Sequence, residues 1–259
     1  MTEEMERGRF SQPVRHGDEV ERLLGPGRPN VHALLQHLHA RGFDLAPRFL
    51  GLTGDGSRER LSFLPGETGY PPLAAALRSD AALVSVARAV RRLHDASQDF
   101  VAPEPGRWSG HDYAGPVRAD CVGHLDLAPW NMTFDGDGRV TGIIDWDFAA
   151  PTSRAWDLAY AAHQFVPLHP TEALAAWGWD TEPDRRARLR LFANAYGPPV
   201  TPAELVDLAA LRLLSIGAHI EDRLRAGDPS FDVHRDEDHG SGYRTAATWI
   251  LTHRDDLLG

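Results

Sequence analysis

Apolar residues recur at helical spacing in some parts of the chain and alternate with polar ones in others, and the contrast predicts an α+β protein. Val31, Leu34, Leu35 and Leu38 share one face of a predicted helix over VHALLQHLHA, with Asn30 placed to cap it and Gly42 to stop it. Leu83, Val86, Val90 and Leu93 form a second stripe along AALVSVARAVRRLHDA, which Asp80 is placed to cap. The stretch from about 155 to 225 is again helical in period, and residues 243–256 predict a last helix. Short β signals come earlier: a hairpin from 13–15 to 19–23 around His16-Gly17-Asp18, and strands near 48–52 and 59–64 around GDGS. Further on, 120–123 reads as a short strand, and 132–134 with 140–144 as a hairpin around DGDGR. The character changes at Pro65-Gly66, so the expected organisation is a small β-rich lobe over 1–64 and a larger, mainly helical lobe over 65–259.

Composition narrows the function classes. With 259 residues, 42% hydrophobic and 25% charged, the chain can bury a sizeable core, and no apolar stretch approaches the roughly 20 residues of a membrane span. The acidic, polar start MTEEMERGRF is unlike a secretory leader, and the single cysteine, Cys121, has no partner in the chain, so a cytoplasmic location is expected. A net charge of −10 argues against a broad basic face for nucleic acid. All 27 basic residues are arginine, so a mechanism that demands a lysine ammonium is excluded or rebuilt around a guanidinium.

The chemistry concentrates in HLDLAPWN, residues 124–131, and IIDWDFAA, residues 143–150. The intervening hairpin returns the chain to its start, which predicts Asn131 and Asp145 side by side. An amide oxygen and a carboxylate are hard donors suited to Mg²⁺, which completes its shell with phosphates and water. Asp126 is left uncommitted on the same loop, able to take a proton from a substrate hydroxyl. DGDGR is a plain turn and not a calcium loop, because Arg139 and Val140 stand where a ligand and a glycine belong. Asp147 either supports the metal site from behind or faces solvent. His37 and His39 are two apart on a helix and diverge, and His94 serves packing or the helix dipole.

This set is the phosphoryl-transfer arrangement. HLDLAPWN and IIDWDFA resemble the catalytic and metal-binding motifs of the aminoglycoside phosphotransferase and choline kinase-like family, which has a protein-kinase-like fold; the resemblance extends to Trp156-Asp157-Leu158-Ala159 and the last helix. It implies Asp126 as catalytic base, Asn131 and Asp145 as Mg²⁺ ligands, His124 as a structural loop residue and Asp157 as the brace of the loop. It also implies ATP or GTP as co-substrate, with the 1–64 lobe holding the nucleotide. LSFLPGE resembles the interlobe hinge, where backbone near Ser62 and Leu64 would meet the adenine.

The pattern departs from such sites on the nucleotide side. They use a strand lysine paired with a helix glutamate, and this chain has no lysine and no glutamate in VHALLQHLHA. Arg22, in GDEVERLL, stands in the approximate place of the lysine, and Asp145 or the nucleotide is left to orient it. Only Gly8 precedes Arg9-Phe10-Ser11 where a glycine-rich phosphate loop is expected. Two readings follow: a small-molecule O-phosphotransferase, or a catalytically decayed kinase-like binding, sensor or immunity protein. For the first, Glu172, Asp180, Asp184, Glu221, Asp222, Asp232, Asp236 and Asp238 suit a cationic acceptor such as an aminoglycoside or another amino-alcohol. A merely solvated acidic surface explains the same residues.

Overall fold

The computed structural model describes residues 2–4, 12–25, 27–116 and 118–259. Its first part is a five-stranded antiparallel sheet carrying one helix. The strands are β1 (Thr2–Glu4), β2 (Val14–His16), β3 (Glu19–Leu23), β4 (Phe49–Leu52) and β5 (Arg58–Ser62), in the order β1-β2-β3-β5-β4, with α1 (Arg28–Ala40) between β3 and β4. The β3–β5 register sets Arg22 opposite Glu59, and residues directly opposite share a face of the sheet.

Helix α1 buries the expected stripe of Val31, Leu34, Leu35 and Leu38, but it starts earlier than expected. Gly27 takes the N-cap in the left-handed region and Asn30 lies inside the helix. The Asn30 side chain is buried and tied instead to the backbone of Glu104 and Arg107. A second correction concerns the next long helix. Ser79, not Asp80, caps it, its hydroxyl accepting the amide of Ala82, and Asp80 is the first helical residue.

The rest of the chain is mostly helical around two small sheets. After β6 (Glu67–Thr68) come α2 (Ala75–Arg78) and α3 (Asp80–Ser97). Strand β7 (Cys121–Gly123) then pairs with β10 (Ala150–Thr152), and β8 (Met132–Phe134) and β9 (Val140–Ile143) form the expected hairpin, with β6 beside β8. The Asp135 side chain accepts the amides of Asp137 and Arg139 and closes that hairpin as an ordinary turn. The 155–225 stretch divides into α4 (Arg154–Phe165), α5 (Arg185–Tyr196) and α6 (Pro202–Arg225), because Gly178, Gly197 and the prolines around them interrupt it. The last predicted helix is likewise two, α8 (His239–Thr252) and α9 (Arg254–Leu258), preceded by the short α7 (Asp232–Asp236). One core, including Val86, Val90, Leu93, Ile143, Trp156, Phe192 and Leu213, runs beneath the loops that follow β7 and β9. No helix among the described residues is long and apolar enough to cross a membrane.

Candidate active site

Strand β7 delivers His124, Leu125 and Asp126 into a loop that is fixed from below. The buried Asp157 of α4 accepts the amide of His124 at 2.9 Å and that of Leu125 at 2.7 Å, and also lies 3.0 Å from Nε2 of His94. Burial pushes Asp157 upward, but the hydrogen bond and charge of His94 outweigh it and hold the carboxyl below its ordinary value. Space for this arrangement depends on Gly123, since a Cβ there would sit 2.8 Å from the Asp157 carboxyl. Leu125 is held in the left-handed region at φ 64, a cost of roughly 1–2 kcal/mol for a branched residue. Arg212, fully buried on α6, secures it by donating Nη2 to the Leu125 carbonyl at 2.7 Å, and it also donates to the carbonyl of Tyr113.

Asp126 and Asn131 meet directly. Asn131 donates Nδ2 to Asp126 Oδ2 at 2.7 Å and to the Asp126 carbonyl at 3.0 Å. Burial first, and then the charge of Asp145, push Asp126 up to about 7. The hairpin brings Asp145 back as expected: Ile144 donates its amide to the Asn131 carbonyl at 2.9 Å, and His124 Nε2 lies 2.9 Å from the Ile144 carbonyl. Asp145 is itself left-handed at φ 62, with its side chain 48% exposed. Because Asn131 spends its amide nitrogen on Asp126, its amide oxygen is the atom left to serve a cation. One amide oxygen and one carboxylate fit a hard divalent cation that takes few protein ligands. Among the described residues, no group of three or more His, Cys, Asp or Glu is gathered as a richer metal site.

On the opposite wall, Arg22 is buried and points at Asp145 and Asp147. Nη1 lies 3.2 Å from Asp145 Oδ1 and Nη2 2.7 Å from Asp147 Oδ1. The expected contact with Asp145 is present, and an unexpected carboxylate from the sheet holds the other edge: Nε donates to Glu59 Oε1 at 2.6 Å. Arg28 joins the network, donating Nη2 to Asp147 at 2.6 Å. Burial works against the charge of Arg22, but Asp147, Glu59 and Asp145 prevail and raise its pKa. Asp147 therefore faces the two guanidiniums and shares a hydrogen bond with Asp145, so it stands behind that carboxylate as expected rather than free in solvent. Ser62 ends β5 with its amide already donated to the Arg48 carbonyl at 2.9 Å, and Leu64 lies on the link from that sheet to β6. The stretch from Gly8 to Ser11 lies outside the described residues.

Asp126 also lines a cavity of about 890 Å³ on the side away from Arg22's sheet, walled by α4, α6 and α8 and by aromatic residues including Tyr113, Trp130, Phe148, Tyr160 and Tyr243. Of the eight acids picked out by sequence, Glu172 and Asp238 line it, together with Glu237. Others are spent elsewhere: Asp184 caps α5, while Glu221, Asp222 and Asp232 pair with Arg244, Arg225 and Arg235. His37 bonds the Ala96 carbonyl at 2.9 Å, and His94 proves to be part of the brace beneath the loop. Sequence reasoning missed Glu59, Arg28 and Arg212. Only Glu59 carried a local signal, as a charge sharing its strand face with the apolar Leu61.

Residues 107–193 match the model of the phosphotransferase enzyme family. The chain is 34% identical over 188 residues to the trifolitoxin immunity protein of Rhizobium leguminosarum bv. trifolii, covering 71% of this chain and 69% of that protein. It is 34% identical over 131 residues to the homoserine kinase of Granulibacter bethesdensis, covering 51% of this chain and 34% of that protein. In fold it is similar to aminoglycoside 2′-phosphotransferase-IIIa, whose structure was solved with GDP (TM-score 0.63, 15% identity, 98% of this chain and 93% of that one). It is also similar to the ethanolamine kinase of Plasmodium vivax (TM-score 0.65, 12% identity, 96% of this chain and 82% of that one). These two structures support a kinase-like α+β fold for this chain.

Proposed function

The chain belongs to the phosphotransferase enzyme family, and on that premise we propose that it moves the γ-phosphoryl group of ATP or GTP to a hydroxyl of a small molecule. The observation that carries this reading is the placement of Asp126, which lines the cavity and is gripped by Asn131 at 2.7 Å. The acceptor lies in the cavity with its hydroxyl on Asp126, which takes the proton as the acceptor oxygen bonds to the γ-phosphorus and the nucleoside diphosphate leaves. Asn131 and Asp145 are the residues to hold Mg²⁺, which when bound neutralises charge on the β and γ phosphates. Arg22 reaches the phosphates from the opposite wall, taking the place of the missing lysine. Backbone near Ser62 and Leu64 is assigned to the adenine or guanine edge. Glu172, Glu237, Asp238 and the aromatic wall favour a cationic acceptor such as an amino-alcohol.

The pairing of Arg22 with Glu59 supports a working nucleotide site over a decayed one. Similarity to the trifolitoxin immunity protein favours a second reading of the same chemistry, in which the acceptor is a toxic compound disarmed by phosphorylation. The test is calorimetric titration with ATP and GTP, with and without Mg²⁺, followed by phosphorus NMR of reactions with a panel of amino-alcohols and hydroxylated toxins. Magnesium-dependent binding and a new phosphate ester are expected. Binding of neither nucleotide would overturn the reading.

A further inference from the structure

Glu59 is fully buried, and a buried carboxylate is sustained only where its oxygens are partnered. Oε1 accepts Nε of Arg22 at 2.6 Å and lies 3.4 Å from Nη1 of Arg28. Oε2 lies 2.6 Å from Nε2 of His32, whose ring stacks on Phe49 with 3.8 Å between centroids. Strand pairing sets Glu59 opposite Arg22, so it grips the Nε edge and leaves both Nη groups aimed across the cleft, one at Asp145 and one at Asp147. An arginine held only through its Nη groups is free to swing about its last torsions. The Nε bond removes that freedom.

We propose that Glu59 is the positioning residue for Arg22, a strand-borne counterpart of the helix glutamate that this chain lacks. Arg28 and His32 fix Glu59 in turn, from the first and second turns of α1. The consequence for catalysis rests on the phosphotransferase reading, whereas the positioning itself does not. Glu59 touches no reacting atom; it sets the direction in which the guanidinium presents its fork to phosphate.

The experiment is a double-mutant cycle of Glu59→Gln and Arg22→Ala, with Mg·ATP and Mg·GTP titrated by calorimetry into each protein. Glu59→Gln is expected to weaken binding about tenfold when Arg22 is present and to have no further effect in the Arg22→Ala background, because a positioning residue acts only through its partner. Parent-like affinity in Glu59→Gln, or an equal loss in both backgrounds, overturns the proposal. Should Glu59→Gln not fold, Glu59→Asp takes its place under the same criteria. The Nε–H resonance of Arg22, assigned by its absence from Arg22→Ala, separates failure of the nucleotide reading from failure of this one. Displacement of that resonance from the ordinary arginine position in the parent, relaxing in the Glu59 variant, supports the proposal even if no nucleotide binds. An ordinary position in the parent overturns it.

Discussion

Asp157 takes the amides of Leu125 and His124 on its two carboxylate oxygens, at 2.7 and 2.9 Å, so a helix residue dictates where the next residue, Asp126, projects. Replacing Asp157 with Asn puts an amide NH₂ against one of those backbone donors and takes the negative charge from beside His94. The variant is expected to lose on the order of 3 kcal/mol of stability, the scale of an unmatched group in a buried polar network. Thermal unfolding checks it: a transition several degrees below the parent is expected, and an unchanged midpoint contradicts the brace.

Mild acidification should withdraw the stability contributed by the buried histidines, while Asp126 and Asp145, whose carboxyl pKa values are raised in the folded protein, shift stability the other way. Burial depresses His124, carries His163 from 6.5 to about 4 and takes His169 well below 6.5. Their folded values lie below the unfolded one, so these rings bind more protons in the unfolded chain as pH drops through about 6.5, and their contribution to stability declines until the folded values are reached. His163 alone accounts for roughly 3 kcal/mol between pH 6.5 and 4. Denaturant midpoints at pH 7.5 and 5 for the parent and for His163→Gln isolate the histidine contribution. The parent is expected to lose more stability, or gain less, than the variant on going to pH 5, and equal changes in the two would mean the His163 ring is not held neutral.

Asp126→Asn separates binding from chemistry. Nucleotide affinity is expected to stay close to the parent's, since Asp126 faces the acceptor cavity, while turnover falls by about two orders of magnitude or more with the loss of a general base. Single-turnover kinetics with an accepted substrate make the measurement, and undiminished turnover removes Asp126 from the role.

Asp145→Ala should abolish the magnesium dependence of nucleotide binding, because it deletes the carboxylate proposed as a Mg²⁺ ligand with Asn131. Arg22→Ala, by contrast, should keep that dependence while weakening binding by about 1.5–3 kcal/mol for each charge-assisted hydrogen bond to phosphate that the truncation removes. Calorimetry on both variants with and without Mg²⁺ reads the difference. Retained magnesium dependence in Asp145→Ala would place the metal elsewhere.

The chemistry that could be read from the chain alone lies where spacing is short and the connection is a hairpin. Asn131 and Asp145 flank β8 and β9, and a tight turn closes them together whatever the rest of the molecule does. The helix stripes were equally legible, because a period of 3.6 residues is a local property. Their ends were not. Asn30 has the chemistry of a cap, yet the backbone of Glu104 and Arg107 claims its side chain. Glu59 gains its meaning from the β3–β5 register, which sets it against Arg22 across 37 residues of sequence, and Arg28 meets Asp147 across 119. The cavity exists because α4, α6 and α8 pack beside the Asp126 loop, and no window of sequence contains that packing. Local spacing therefore determined which groups the hairpin brings together, while long-range packing decided which partners hold and aim them: a buried charge keeps its place only where the fold supplies its counter-charge.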